Sequence, residues 1–246
     1  MISRLRYLRP VNSSLRMVSR ILGKEPAHFL HIGKTGGTAI KYSLRRTFLT
    51  EEYSILLHTH STTLMDVPKG EKVFFFVRDP IQRFVSGFYS RQREGRPRYY
   101  APHTLEEREA FFKFRTPNEL AEALSSNDVE LKSAAVKAMR SIMHVRNSYW
   151  DWFHDESYFI SRIDDVIFVG RQEHLNEDFE RLKDVLGLPK HLNLPQDEVR
   201  AHRTPPAYDR SLSELASSNL REWYGRCYEF LRLLQELGLV PAGSYP

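Results

Sequence analysis

The stretch Phe29-Leu30-His31-Ile32-Gly33-Lys34-Thr35-Gly36-Gly37-Thr38-Ala39-Ile40 constrains this chain more than any other. An apolar run ends in a glycine-rich turn that carries a lysine and threonines. A helix-like segment follows, with Ile40 and Leu44 four apart and Arg45 and Arg46 beside them. Strand, glycine turn and helix start together make an anion site. Glycines let the backbone approach a ligand, and free N–H groups at the helix N-terminus point at it. Lys34 adds a full charge, and Thr35 and Thr38 add hydroxyl donors.

The rest of the chain repeats the alternation. Strands are expected over 27–32, Ser54–His58, Lys72–Val77 and Asp165–Gly170. Lys72-Val73-Phe74-Phe75-Phe76-Val77 is continuous, aromatic and β-branched, as a strand buried on both faces should be. Helices are expected over 38–47 and from Pro80 through Phe84 and Phe88 to a stop at Gly95-Arg96-Pro97. The middle, 104–156, reads as helical, with a capping box from Thr104 to Glu107 and a helix over Ser133–His144. Further helices are expected over Glu177–Leu186 and, as one or two amphipathic segments, over Leu212–Leu239, with a proline-rich loop at 189–206. This pattern predicts an α/β fold with a central, mainly parallel sheet flanked by helices. In such sheets ligands bind at the carboxyl ends of the strands. Gly33–Thr38 and Arg78–Pro80 both fall there, where one ligand could touch both.

At 246 residues the chain can bury one substantial core. Residues 27–246 read as one domain. Residues 1–26 read as a basic arm, with Leu5, Leu8, Leu15, Val18 and Leu22 among arginines. That arm suits packing on the core or contact with an anionic membrane surface. No apolar run approaches the roughly 18 residues of a transmembrane helix, and Met1–Lys24 lacks the continuous apolar region of a secretory signal. Cys227 is the lone cysteine, so neither an internal disulfide nor a cysteine-based metal site is expected. A reducing compartment, and with it the cytoplasm, is the expected location. The formal charge of +5 points to an anionic partner. The signatures of zinc fingers, basic zippers and RNA-recognition motifs are missing, and nucleic acid is not the expected partner.

The nucleotide-binding P-loop, G-x-x-x-x-G-K-[ST], ends as Gly33-Lys34-Thr35 does, but its opening glycine would fall on His28. The glycines here follow the lysine instead of preceding it. The strong strand is followed by Arg78, not by an acidic magnesium partner. An ordinary kinase or ATPase is thereby disfavoured.

His31-Ile32-Gly33-Lys34-Thr35-Gly36-Gly37-Thr38 resembles the 5′-phosphosulfate-binding loop of carbohydrate sulfotransferases that use 3′-phosphoadenosine 5′-phosphosulfate (PAPS), whose usual form is H-I-P-K-T-G-G-T. Gly33 stands where that loop has proline. Arg78-Asp79-Pro80-Ile81-Gln82-Arg83-Phe84-Val85-Ser86 is similar to the family's 3′-phosphate motif, R-D-P-x-x-R-x-x-S. Weaker likeness continues through Val169-Gly170-Arg171-Gln172-Glu173 and Trp223-Tyr224. The resemblance implies a P-loop-like sulfotransferase fold and metal-free sulfuryl transfer from PAPS to a hydroxyl of a carbohydrate-type acceptor. It implies cofactor binding by Gly33, Lys34, Thr35, Gly36, Gly37 and Thr38. Arg78 and Ser86 would hold the 3′-phosphate, Arg83 would support them, and Arg203 would touch that phosphate or close over the cofactor.

A base must also remove the acceptor proton, and a histidine near its ordinary pKa of about 6.5 suits that task. His28, His31, His58, His60, His144 and His202 are candidates, with His28 and His31 read as packed strand residues and Glu173 as an alternative base. His58-Thr59-His60 resembles the H-x-H segment of heparan sulfate 2-O-sulfotransferases, whose second histidine is the base. That resemblance makes His60 the expected base, with His58 as helper or acceptor ligand. Tyr99, Tyr100, Tyr149 and Trp150 could stack on a sugar. Two other readings remain: a nucleotide kinase or NTPase with an atypical phosphate loop, and a non-catalytic module that binds a polyanion.

Overall fold

A computed structural model describes residues 17, 19, 21–197 and 208–246. Most of the expected arm, and with it Arg203 and His202, lies outside the described residues.

Four parallel strands form one sheet in the order β2-β1-β3-β4: β1 (Glu25–Leu30), β2 (Tyr53–Leu57), β3 (Lys72–Val77) and β4 (Val166–Arg171). The expected alternation is therefore present, and β3 has the expected bounds. β1 starts at Glu25, inside the stretch read as arm, because Glu25 pairs with Tyr53 across the sheet. It stops at Leu30, where the Ile32 N–H turns back to the Leu30 carbonyl at 3.1 Å.

Alternation along β3 divides the core. Phe74 and Phe76 face α1 (Gly37–Leu44), meeting Ile40 and Leu44 there with Phe29, and Phe179, Leu182 and Leu186 of a later helix. Val73, Phe75 and Val77 face the opposite layer. That layer holds α2 (Pro80–Gln92), α3 (Leu105–Lys113), α4 (Pro117–Ala123), α5 (Val129–Ser141), α6 (Trp150–Phe153) and α7 (Glu156–Ile160). The helix packed against β4 is α8 (Leu175–Leu186), and α9 (Glu214–Trp223) and α10 (Gly225–Glu236) complete the second layer. The expected Leu212–Leu239 segment is thus two helices, broken at Tyr224. Phe75 sits 4.6 Å from Phe153 by ring centroids, and Phe153 stacks on Phe230 at 4.7 Å, so α6 and α10 are bound to the sheet by aromatic contact.

The chain passes from β1 to β2 on one side and returns to β3 on the other. Strand order therefore reverses between β1 and β3, and the crevice of an open α/β sheet opens there.

Glu107 does more than close the capping box. It takes the Thr104 N–H at 3.1 Å, Arg91 Nε–H at 2.8 Å and the Met143 N–H at 3.0 Å. This buried carboxylate ties α2 and α3 to the residue before His144. The helix expected over Ser133–His144 instead runs from Val129 to Ser141, capped by Asp128 and released at Ile142, whose backbone is extended.

Candidate active site

A cleft of about 370 Å³ lies at the crevice, large enough for a nucleotide-sized ligand. Its floor is the turn after β1. Thr35 Oγ–H donates to the Ile32 carbonyl at 3.0 Å and is buried, so its hydroxyl closes the turn and does not face the cleft. Lys34 has φ 68°, a left-handed conformation that a non-glycine residue adopts at an energetic cost and that is concentrated at functional turns. Gly36, with φ 84°, begins α1 with no side-chain cap, which leaves the first amides of α1 free of side-chain competition and aimed outward. Gly36, Gly37, Thr38 and Lys34 all line the cleft.

The turn after β3 supplies the opposite wall. Arg78 and Ser86 line the cleft. Arg78 Nη1 reaches the Lys34 carbonyl at 3.4 Å, while Arg78 Nε is buried without a hydrogen-bond partner. Burial pulls the guanidinium pKa down, and the Glu173 carboxylate partly opposes this. Asp79 caps α2 by accepting the Gln82 N–H at 2.9 Å. Arg83 does not line the cleft with Ser86. It is buried behind the wall with its guanidinium 4.7 Å from the Tyr149 ring centroid, donating to the Asn147 carbonyl. Its contact with a ligand is therefore indirect, through Tyr149, which hydrogen-bonds both the N–H and the carbonyl of Arg78. Tyr149 is fully buried and presents no face for a sugar, and Trp150 Nε1–H is spent on the Arg226 carbonyl. Tyr99, in contrast, lines the cleft, and the exposed Tyr100 packs under Arg96.

The Lys34 ammonium is strongly perturbed. Burial, with Arg93 and Arg78 nearby, pushes its ammonium pKa down to about 7. No carboxylate stands among the described residues of the cleft wall. A polyanion is the ligand that would relieve both the stranded Arg78 Nε and the disfavoured charge on Lys34.

Three histidine rings form the rim. The His31 and His60 centroids are 3.8 Å apart, and His60 meets His144 edge-on at 5.3 Å. His60 Nδ1 is 2.9 Å from the His31 carbonyl. A carbonyl only accepts, so Nδ1 carries the proton and Nε2 keeps its lone pair. Partial desolvation in the cleft, with Lys41 and Lys34 close by, lowers the His60 pKa, and the bond to His31 acts the other way. Burial first, then neighbouring positive charge, holds His31 and His144 well below the ordinary imidazole value. All three are neutral at physiological pH. Lys41 Nζ donates to the His58 carbonyl at 2.8 Å and lies 3.5 Å from His31 Nδ1, which ties the turn after β2 to the turn after β1.

His58 itself turns away. Its Nε2 is 2.8 Å from His28 Nδ1, and Glu71 Oε2 takes His28 Nε2–H at 2.7 Å. This buried relay holds the β1–β2 edge and does not reach the cleft wall. Glu173 is also withdrawn: its carboxylate accepts the Asp79 N–H at 2.8 Å and the Tyr245 hydroxyl at 3.0 Å.

His31 and His144 belong to the wall although local sequence marked His31 as packing. The signal was in the glycines. A Cβ at Gly37 would lie 2.1 Å from the His31 ring, and one at Gly33 would lie 2.9 Å from His144 Nδ1. Each glycine is the space its histidine needs. This accounts for Gly33 in place of the proline of the resembled loop. Gln82 and Gln172, at positions of the motif stretches to which the resemblance gives no role, and Asn176 and Arg210, outside those stretches, also line the wall.

The order of events along the chain is thus a phosphate-type loop after β1, histidines after β2, a cationic turn after β3 and polar side chains after β4. A search of the curated proteins finds no match to the chain. The model of the sulfotransferase family matches residues 20–237, which span every strand and the whole cleft wall described above, and the chain belongs to that family.

Proposed function

We propose that the protein transfers a sulfuryl group from PAPS to a hydroxyl of a carbohydrate-type acceptor, with His60 as base and Lys34 at the leaving phosphate. One observation carries this reading: a single cleft wall, with no carboxylate among its described residues, joins Lys34 and the Gly36–Thr38 turn to Arg78 and Ser86, with His60 Nε2 free to accept on its rim. Two cationic walls suit a ligand with two separated phosphates. An ATP-type reading would need a carboxylate to anchor magnesium, and the described wall has none.

PAPS, when bound, brings a sulfuryl group on a phosphate leaving group. The loop amides and Lys34 hold that phosphate and stabilise the charge it gains. Arg78 and Ser86 hold the second phosphate and fix the position of the reacting end. His60 Nε2 takes the acceptor hydroxyl proton as the new S–O bond forms and the bond to phosphate breaks. His31 and His144, neutral and packed on His60, keep its ring in place. Among the described residues no helix is long and apolar enough to cross a membrane, and no group of histidine, cysteine and carboxylate side chains is arranged to hold a metal ion. A cytoplasmic location and contact of residues 1–26 with a membrane surface belong to the same proposal.

Adenosine 3′,5′-bisphosphate is expected to raise the thermal unfolding midpoint by about 5–10 °C at a hundredfold excess over its Kd. AMP and ATP at the same concentration are expected to raise it far less. Equal shifts for all three would leave only a polyanion-binding module, and a magnesium-dependent shift by ATP alone would favour a kinase.

Binding is also expected to take up a proton. In the free protein Lys34 titrates near 7, and a bound phosphate raises that value. The complex therefore holds a proton that the free protein lacks above neutrality. Affinity for the bisphosphate should weaken roughly tenfold between pH 7 and pH 8.5. Calorimetry in buffers of different ionisation enthalpy reads the uptake directly, and a buffer-independent enthalpy with a flat affinity would refute it.

A further inference from the structure

The turn that leaves β3 is held by three tyrosine hydroxyls. Tyr149 accepts the Arg78 N–H at 2.9 Å. Tyr228, on α10, donates to Asp79 Oδ2 at 2.9 Å. Tyr245 donates to Glu173 Oε2 at 3.0 Å, and Glu173 Oε1 accepts the Asp79 N–H at 2.8 Å. The first two lie within the region matched by the family model. The third does not, since that match ends at residue 237.

Tyr245 is nonetheless firmly seated. Its N–H donates to Gln235 Oε1 at 3.1 Å, and Gln235 Nε2 donates back to the Tyr245 carbonyl at 3.3 Å. Its ring is buried, 7% exposed. Glu173 stands in the turn after β4, so the Tyr245 hydroxyl links the exits of β4 and β3 through one carboxylate. A carboxylate with both oxygens engaged cannot swing, and the amide it grips belongs to the residue after Arg78. Burial and the Glu173 charge push the Tyr245 pKa up, so the hydroxyl remains a donor across the working pH range.

We propose that Tyr245 is a positioning residue for the second-phosphate site: through Glu173 it fixes the Asp79 amide and with it the direction in which Arg78 leaves β3. This rests on the assignment of Arg78 and Ser86 to that phosphate. Tyr245 touches neither the cleft nor the reacting atoms. Its effect is confined to how well Arg78 is aimed.

The test compares two ligands, adenosine 3′,5′-bisphosphate and AMP, which lacks the 3′-phosphate. The ratio of their affinities by titration calorimetry reads the second site alone. In Tyr245→Phe the ring stays and the hydroxyl goes. The ratio is expected to fall about three- to ten-fold, with AMP affinity unchanged. Glu173→Ala is expected to lower the ratio at least as far, and the double variant no further, because both act on one amide. Should Tyr245→Phe fail to fold, Glu173→Ala carries the same ratio test. A wild-type ratio in Tyr245→Phe, or an equal loss for both ligands, overturns the proposal, the second outcome being general loosening of the fold. A wild-type protein with no preference for the bisphosphate overturns the phosphate assignment itself, and this proposal with it.

Discussion

Lys34→Ala is expected to lower sulfuryl transfer by roughly a thousandfold, the scale on which loss of one group facing a developing negative charge is felt. The size follows from where the ammonium sits. It is the cation that the turn after β1 supplies to the cleft, while Arg78 comes from the opposite wall. The fold should survive. Among the described residues its ammonium takes part in no hydrogen bond. Its charge is disfavoured by burial and by Arg93 and Arg78, so removal relieves a repulsion. The unfolding midpoint of the variant is expected to equal or exceed that of the wild type. Its bisphosphate affinity should weaken and lose the pH dependence seen above neutrality, since the group that takes up the proton is gone. Turnover near the wild-type rate in Lys34→Ala would remove the lysine from the chemistry.

Arg78 and Arg83 show how much of this site local sequence could carry. Both stand in one short motif, and both are cations on the way into a helix. Arg78 lies at the strand exit beside the crevice, so its place was legible from topology. Arg83 lies one turn into α2 on the face that packs against the core, and its depth depends on Tyr149, far along the chain. The two histidines of His58-Thr59-His60 divide in the same way. His60 falls beyond β2 and is free to turn to the rim, whereas His58 is caught by His28 and Glu71 from two other segments. β3 was fully legible because burial on both faces leaves a continuous apolar run that needs no knowledge of its partners. The ends of β1 were not, because Glu25 is a strand residue only by its pairing with Tyr53. His144 was the least legible. Its left-handed backbone, φ 69°, and its place between Gly33 and Gly87 are set by segments that meet only in the folded chain. The glycines stood in the sequence, but nothing local says which ring each one admits.

His60→Ala is expected to lose transfer by about a hundredfold to ten-thousandfold, the range for a positioned acid–base group, while binding adenosine 3′,5′-bisphosphate as the wild type does. The tautomer supports the first half: the His31 carbonyl holds the Nδ1 proton and leaves Nε2 to accept. Position supports the second, since His60 comes from the turn after β2 and the proposed phosphate contacts come from the turns after β1 and β3. The pH profile separates the two catalytic groups. His60 works as the neutral ring, present above its pKa, which is lowered from 6.5. Lys34 works as the ammonium, which in the free enzyme is lost above about 7. The profile of kcat/KM should therefore be a narrow bell, rising on a His60 limb below 6.5 and falling on a Lys34 limb just above neutrality. His60→Ala should erase the acid limb and keep the basic one, and Lys34→Ala the reverse. His144 offers the rival base, because its ring shares the rim and is also held neutral. If His144→Ala erases the acid limb while His60→Ala keeps it, the proton goes to the ring packed on Gly33, and His60 is only its support.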